Sequence, residues 1–549
     1  MSDNAPAAAP PSQAADPPPA APQNKDNRRG GPRGKKRTDY GRNAYRRNKD
    51  ENHASKRFKR DDAGEQTAAA PDVPEGEKEE RKPKRKVAVL MSYCGTGYKG
   101  MQLNPPFKTI EGDLFEAFVK AGAISKANSD DPKKSSLVRC ARTDKGVHAA
   151  GNVISLKLII EDPEVVQKIN SHLPPSIRIW DIQRTTGNFS SYQLCDSRKY
   201  EYLMPSYTLL PPHPSSFLAK AIKRYAELEN DVEELNKRQA DVLDWWPQVT
   251  EKVYTELTPE FSREEIDNAL ASLSTDWDDA SPRPNSNRNA DEPPPPNPEA
   301  DAAETNETNG RTVELAKRIR QIHLREKKAY RISPSRLEQT RTAFAMYVGT
   351  SHFHNYTVDK TYHDKSCKRF IMSFVVADPI VINGVEWLAC RVHGQSFMMH
   401  QIRKMVGMAM MVVRAGCDVR RIGETMGNVK VSIGKAPSLG LHLEYPIFNH
   451  YNNVLAPKNE REKIDFEKFR TEIDAFKKEY IYDKIFDEEE KMHTFTNFVN
   501  FLDSYRNSTY LYLTSAGLKA LETGQAAGDA AEAAEDSESE AAPSGDEQG

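Results

Sequence analysis

A helix that is apolar on nearly every side must be packed inside a protein, and this chain contains one. The run MMHQIRKMVGMAMMVV predicts a helix from Met399 to Ala415, closed by Gly416 as a C′ glycine. Its unbroken apolar stretch, Met408 to Val413, is far too short to cross a bilayer, so its partners are other parts of a protein core. Arg403 and Lys404 nevertheless sit in its first turns. A guanidinium in that setting needs an anionic partner, because an unpaired buried charge is strongly destabilising. The alternative is that one of the two side chains snorkels to water.

A suitable anion lies in the segment ARTDKGVHAAG, a loop between two predicted strands, Ser136–Cys140 and Asn152–Ile160. Asp144 is at its tip, with Arg142 two residues before and Gly146 two after. Taken alone, RTDKG reads as an ordinary surface turn. Taken with the helix, it reads as a carboxylate presented over a sheet and paired with Arg403 across a cleft, which keeps it ionised and its oxygens still. Tyr200 and Tyr202 alternate along a further strand, Lys199–Met204, so both rings face one side. They are either a cross-strand aromatic pair or a wall on which a base stacks.

The remaining punctuation divides the chain. Residues 1–84 read as a disordered basic tail, with RRG, RGKKR, YRR and KRFKR between Lys25 and Arg60 and RKPKRK at its end. A first half, 85–210, opens with KVAVLMSYCGTGYKG, an apolar strand feeding a glycine-rich turn, then a helix entered through Thr109. Residues 211–330 read as a helical insertion whose centre, 278–310, carries PPPP and many Asn, Asp and Glu and is expected to be disordered. A second half, 331–447, contains a helix running from Pro334 through Tyr347, the loop GTSHFHNYT, two strands and the apolar helix. A helical extension, 448–522, and an acidic tail, 523–549, complete the chain. The order of elements predicts an α+β or mixed-sheet fold. The net charge of -2 therefore averages a basic arm against an acidic tail. Either tail is read as holding a partner or as merely solvated.

Several chemistries are disfavoured. The six cysteines are scattered without CxxC spacing, which fits free thiols in a reducing compartment rather than a disulfide framework or zinc ribbon. No HExxH occurs, so no catalytic metal is expected; a structural zinc from Cys367, Cys390 and neighbouring histidines is the weaker reading. YCGTGYKG matches neither GxxxxGK[ST] nor GxGxxG. Met1–Pro22 lacks the basic start and apolar block of a secretory signal.

Six blocks then carry a resemblance. ARTDKGVHA looks like the signature loop of the TruA-type tRNA pseudouridine synthases, and YCGTGYKGMQ, SRKYEY, GTSHFHNYT, GQSFMMHQIRKMVG and APSLGLHLE stand around it in that family's order. The eukaryotic pseudouridine synthase 1 branch, fungal members above all, is the most similar. The resemblance implies an α+β fold of two α/β halves forming one mixed, mainly antiparallel sheet with a central basic cleft. Within that fold it implies Asp144 as catalytic carboxylate, Arg403 as its ion-pair partner and Tyr200 as the ring stacked on uracil. It implies Arg142 as the side chain that displaces the target nucleotide, and Leu441 as an apolar wall of the uracil pocket. Lys99, Lys145, Lys404 and His400 are expected to contact RNA, His400 standing where bacterial relatives have His-His and this chain has Met399-His400. The chemistry needs no cofactor; the branch is associated with bound zinc, for which this sequence shows no compact motif. The implied partners are tRNA, then snRNA and mRNA, and the nuclear import machinery. The implied location is the nucleus. Bacterial relatives dimerise, but the insertion and C-terminal helices lean the expectation toward a monomer.

Two other readings stay beside the enzyme. One is an RNA-binding or RNA-folding protein on the same scaffold with little catalysis, which the joint presence of Arg142, Asp144, Tyr200 and Arg403 disfavours. The other is a non-enzymatic nuclear interaction protein acting through its charged tails, for which deletion of residues 1–80 would abolish function.

Overall fold

The computed structural model describes the backbone at residues 82–279, 307–505 and 508–521. Nearly all of the predicted tail 1–84, the whole of the predicted tail 523–549 and most of the centre of the insertion lie outside the described residues.

Ten strands form one sheet. They are β1 (Arg85–Tyr93), β2 (Val138–Arg139), β3 (His148–Leu158), β4 (Ile177–Arg184), β5 (Ser197–Pro205), β6 (Gly349–His352), β7 (Lys368–Val376), β8 (Ile380–Ile382), β9 (Val385–Gly394) and β10 (Leu441–Ile447). Their order is β4-β1-β3-β10-β5-β9-β7-β6, with β2 added to β3 and β8 to β9. The fold class is the expected α+β, and the way the halves join explains the site. β10, from the second half, enters between β3 and β5 of the first. It runs parallel to β3, His442 opposite His148, and antiparallel to β5, Leu443 opposite Tyr200. The sheet is thus interlocked rather than abutted, and its middle strands bring both halves to one place.

Three helices matter for function: α1 (Ile110–Lys120), α2 (Pro334–Ala345) and α3 (Gln401–Arg414). The Thr109 side chain caps α1 by accepting from the Gly112 amide, and Ser333 caps α2 by accepting from Arg336. α3 is buried along almost its whole length and ends before Gly416, whose φ of 62° makes it the C′ glycine the sequence predicts. Gly407 is required in its middle: a Cβ there would lie 2.2 Å from the Gly434 carbonyl oxygen, so only glycine lets residues 434–436 lie against the helix.

Some elements differ from expectation. GTSHFHNYT, read as a loop, begins with β6. The helical insertion opens with two helices, Phe217–Leu228 and Val232–Gln239, parted at Asn230 with φ 55°, a conformation that asparagine tolerates better than most residues. The helical extension is likewise broken at His493, φ 48°, before the helix Thr494–Ser504. Helices Trp245–Leu257 and Arg263–Asp279 pack with Glu307–Ala329 around Val253, Leu257, Ile266 and Ile319, a separate small core in the insertion.

One buried cation in that insertion carries a pH signature. Lys327 is enclosed, its Nζ 3.5 Å from Asn500 Oδ1, and burial, reinforced by the nearby Arg414, lowers its pKa to about 8. A lysine lowered from 10.5 binds fewer protons folded than unfolded, so it costs stability below pH 8 and that cost fades as pH rises toward 10.5. Lys327→Met is therefore expected to be more stable than the parent at pH 7, with the gap in melting temperature shrinking steadily from pH 8 to 10. Calorimetry of both proteins across that range checks this.

Candidate active site

The loop holding Asp144 is fixed from below by a buried polar network. Tyr93 Oη meets Thr143 Oγ1 at 2.9 Å, and Asn152 Nδ2 donates to Tyr93 Oη at 3.2 Å and to the Ala141 carbonyl at 3.3 Å. The Met101 amide donates to the Thr143 carbonyl (3.1 Å), and the Val147 amide turns back to that of Asp144 (3.2 Å). Gly100 makes the first of these possible, since a Cβ on it would stand 2.8 Å from the Thr143 oxygen. With Thr143 buried, its neighbours face outward: Arg142 and Lys145 are exposed and Asp144 is half-buried.

The N-terminal end of α3 closes the other side. His400, in the left-handed region at φ 62°, directs Nδ1 to 2.8 Å from Asp144 Oδ2. Their side chains retain 19% and 26% exposure, so the pair is sheltered but reachable. Arg403 donates from Nε to the Ala436 carbonyl (2.6 Å) and accepts at its own carbonyl from the Ala436 amide (3.2 Å). This clasp places Lys435 beside the site. Burial alone would raise the Asp144 carboxyl, but the His400 hydrogen bond, then the charges of His400, Arg403 and Lys435, outweigh it and hold the pKa below the ordinary carboxylate value. Asp144 is ionised at neutral pH.

Tyr200 sits on β5 with its ring edge-on to Phe397, centroids 5.3 Å apart, and burial pushes its phenol far above the ordinary range. Tyr202 on the same face donates to the Pro437 carbonyl at 2.8 Å, and Leu441, opposite Tyr202, is buried. Asp144, His400 and Arg403 thus come together, while Tyr200 and Leu441 occupy the central strands. Lys99 is exposed and lies over the Phe107 ring, 5.3 Å from its centroid.

Lys404 is the correction. Expected on the basic surface, it is buried, and its Nζ donates to the Thr357 carbonyl (3.2 Å) and reaches that of Asn355 (3.5 Å). One helical step from Arg403 turns it about 100° toward the protein interior, where carbonyls take the place of phosphates. The sequence reading also passed over Arg198, within SRKYEY. Its guanidinium bonds the Cys140 carbonyl (2.9 Å) and the Gln395 carbonyl (3.2 Å), tying the strand before the Asp144 loop to the turn before α3. Its signal was a charged residue placed next to the tyrosine strand.

No metal is placed by these side chains. Among the described residues the one group of three candidate ligands is Glu201, His442 and Glu444. Arg391 and Tyr482 already bond Glu201, and the Lys477 ammonium contacts Glu444 and stands 3.6 Å from Glu201. Cations occupy the space a metal would need, so the cluster does not fit zinc. Cys367 and Cys390 are buried, and neither belongs to a group of three candidate ligands among the described residues.

A half-buried carboxylate, kept ionised beside His400, Arg403 and Lys435 where the two halves of one sheet meet, has the chemistry of a nucleophile or general base. Comparison with known proteins narrows this. Residues 343–449 match the family model described as tRNA pseudouridine synthase. The chain is 43% identical over 472 residues to tRNA pseudouridine synthase 1 of Schizosaccharomyces pombe, covering 80% of this chain and 87% of that one. It is 49% identical over 430 residues to the Candida albicans protein of the same name (78% and 67% covered). Identity to the mouse pseudouridylate synthase 1 homolog is 31% over 451 residues, 81% of each. The chain belongs to the tRNA pseudouridine synthase family, and is an isomerase that converts uridine to pseudouridine.

Proposed function

We propose that this enzyme isomerises uridines of tRNA at several positions in and near the anticodon stem, and also acts on some snRNA and mRNA sites, in the nucleus. The observation that carries the catalytic assignment is the ionised, half-buried Asp144 held by the end of α3. In the reaction the bond from ribose C1′ to uracil N1 breaks, the freed base turns, C5 bonds C1′, and the proton on C5 moves to N1. Atoms and electrons balance within the nucleotide, so the chemistry calls for no cofactor. Asp144 acts either as nucleophile at C1′ or as base toward the 2′ proton. Both routes require the uridine out of its stack, at a cost of about a few kcal/mol. Exposed Arg142 suits the vacated position, and Tyr200 with Leu441 suits the base.

Exposed Lys99 and Lys145, flanking the loop, are assigned to phosphates. Lys99→Ala and Lys145→Ala are each expected to reduce the slope of log affinity against log salt by about 1 for tRNA, whereas Lys404→Met leaves that slope unchanged. Filter binding across a salt series reads this directly. Substrate range and location have their own tests. Transcriptome-wide pseudouridine mapping after gene deletion should lose sites in tRNA anticodon stems, snRNA and mRNA; loss confined to tRNA removes the wider range. Deleting residues 1–84 should move the protein out of the nucleus while tRNA turnover in vitro persists, and unchanged nuclear location would remove that tail as the address.

A further inference from the structure

We propose that His400 is a positioning residue for the isomerisation: its Nδ1–H holds one oxygen of Asp144 so that the other is presented to the target ribose. This rests on Asp144 being the reacting carboxylate. An ionised carboxylate can only accept, so the 2.8 Å contact puts a proton on Nδ1 and leaves Oδ1 as the oxygen available for chemistry. The backbone supports the assignment independently. A non-glycine residue at φ 62° costs about 1 kcal/mol. A residue at the head of a helix ordinarily lies in the extended region with its side chain accepting from a free amide, and His400 does neither. The imidazole is sent across the cleft instead. The turn that aims it is anchored on both sides: Gln401 Oε1 accepts from the Met398 amide (2.9 Å), Thr357 Oγ1 donates to the Met399 carbonyl (3.0 Å), and the His400 carbonyl accepts from the Lys404 amide (3.0 Å). Strain held in place by so many bonds, and directed at one carboxylate oxygen, marks a geometry kept for the reaction.

The contrast between His400→Gly and His400→Asn tests this. Glycine accepts φ 62° without strain and removes the donor; asparagine also tolerates it and places an amide N–H near the position of Nδ1. Single-turnover isomerisation of full-length tRNA is measured from pH 4 to 8, alongside RNA affinity. The expected result is that His400→Gly slows the chemical step about 10- to 100-fold, the range typical when an orienting partner is lost. RNA affinity stays within twofold, the acid limb of the profile moves to higher pH, and His400→Asn restores most of the rate and the limb. Unchanged rate and acid limb in His400→Gly would overturn the proposal, as would a loss of affinity alone, which would make His400 an RNA contact. Asp144→Ala in the same assay separates the two readings: an active Asp144→Ala removes the assignment of Asp144 itself, whereas an inactive Asp144→Ala beside a normal His400→Gly removes only the role of His400.

Discussion

Asp144→Asn is expected to lower single-turnover isomerisation by roughly 10⁴-fold or more, the scale on which removal of an essential reacting group acts. Asparagine keeps the size of the side chain and an oxygen to accept from His400, so the loop and the end of α3 should stay where they are. What it lacks is a negative charge able either to attack C1′ or to take the 2′ proton. RNA affinity should therefore remain within a few-fold of the parent, since phosphate contacts belong to exposed side chains such as Lys145. Tritium release from tRNA labelled at uridine C5 measures the loss. Turnover within about tenfold of the parent would remove Asp144 from the chemistry, because no oriented amide replaces a carboxylate in either role.

The second large effect is on stability. Arg414 closes α3 and pairs with Asp503 of the C-terminal helix, each side chain 3% exposed. Arg414 also donates to the Leu210 carbonyl at 2.6 Å, so a single guanidinium gathers α3, the end of the first half and the C-terminal extension. Asp503→Ala leaves Arg414 buried without its counter-ion and close to Lys327, whose charge already bears on it. Breaking a buried pair in this way costs about 3–5 kcal/mol, and in a protein of this size a fall in melting temperature of about 3–6 °C. Replacing both partners together, Arg414→Met with Asp503→Leu, should recover much of the loss, since an apolar pair leaves no uncompensated charge. Equal melting temperatures for the single and double variants would show that the charge is not what matters there.

The parts of the fold that were legible in the sequence are those with a local cause. β1 follows from an unbroken apolar run, α1 from a threonine cap before helical spacing, and α3 from being apolar all round with a glycine at its end. β10 was not read as a strand although LHLEY alternates apolar and polar residues; His442 bonds Glu444 two residues on at 2.8 Å, and Glu444 in turn meets Lys477 of the C-terminal extension. No local pattern announces that a strand of the second half will enter between two of the first. The helix breaks at Asn230 and His493 depend on single left-handed residues, which periodicity averages away.

The site divides in the same way. A loop tip between strands and a cation in an apolar helix pointed to Asp144 and Arg403; the structure brings the Arg403 charge to bear on Asp144 but gives the carboxylate His400 as its hydrogen-bond partner at 2.8 Å. His400 was read as an RNA contact because its approach to Asp144 depends on one backbone angle, which the letters do not encode. Lys404 was taken for a surface cation because adjacent basic residues look alike in sequence, while on a helix they point about 100° apart. Lys435 depends on the Gly407–Gly434 approach that brings its loop to the helix.

The most direct test is a structure of the enzyme bound to tRNA carrying 5-fluorouridine at a target position. With the target nucleotide everted into the hollow between the Asp144 loop and the head of α3, a carboxylate oxygen should come to about 3–3.5 Å from ribose C1′ or C2′, the range of a near-attack geometry. A nucleotide that stays stacked in its helix, or a ribose seated away from that carboxylate, would contradict the assignment.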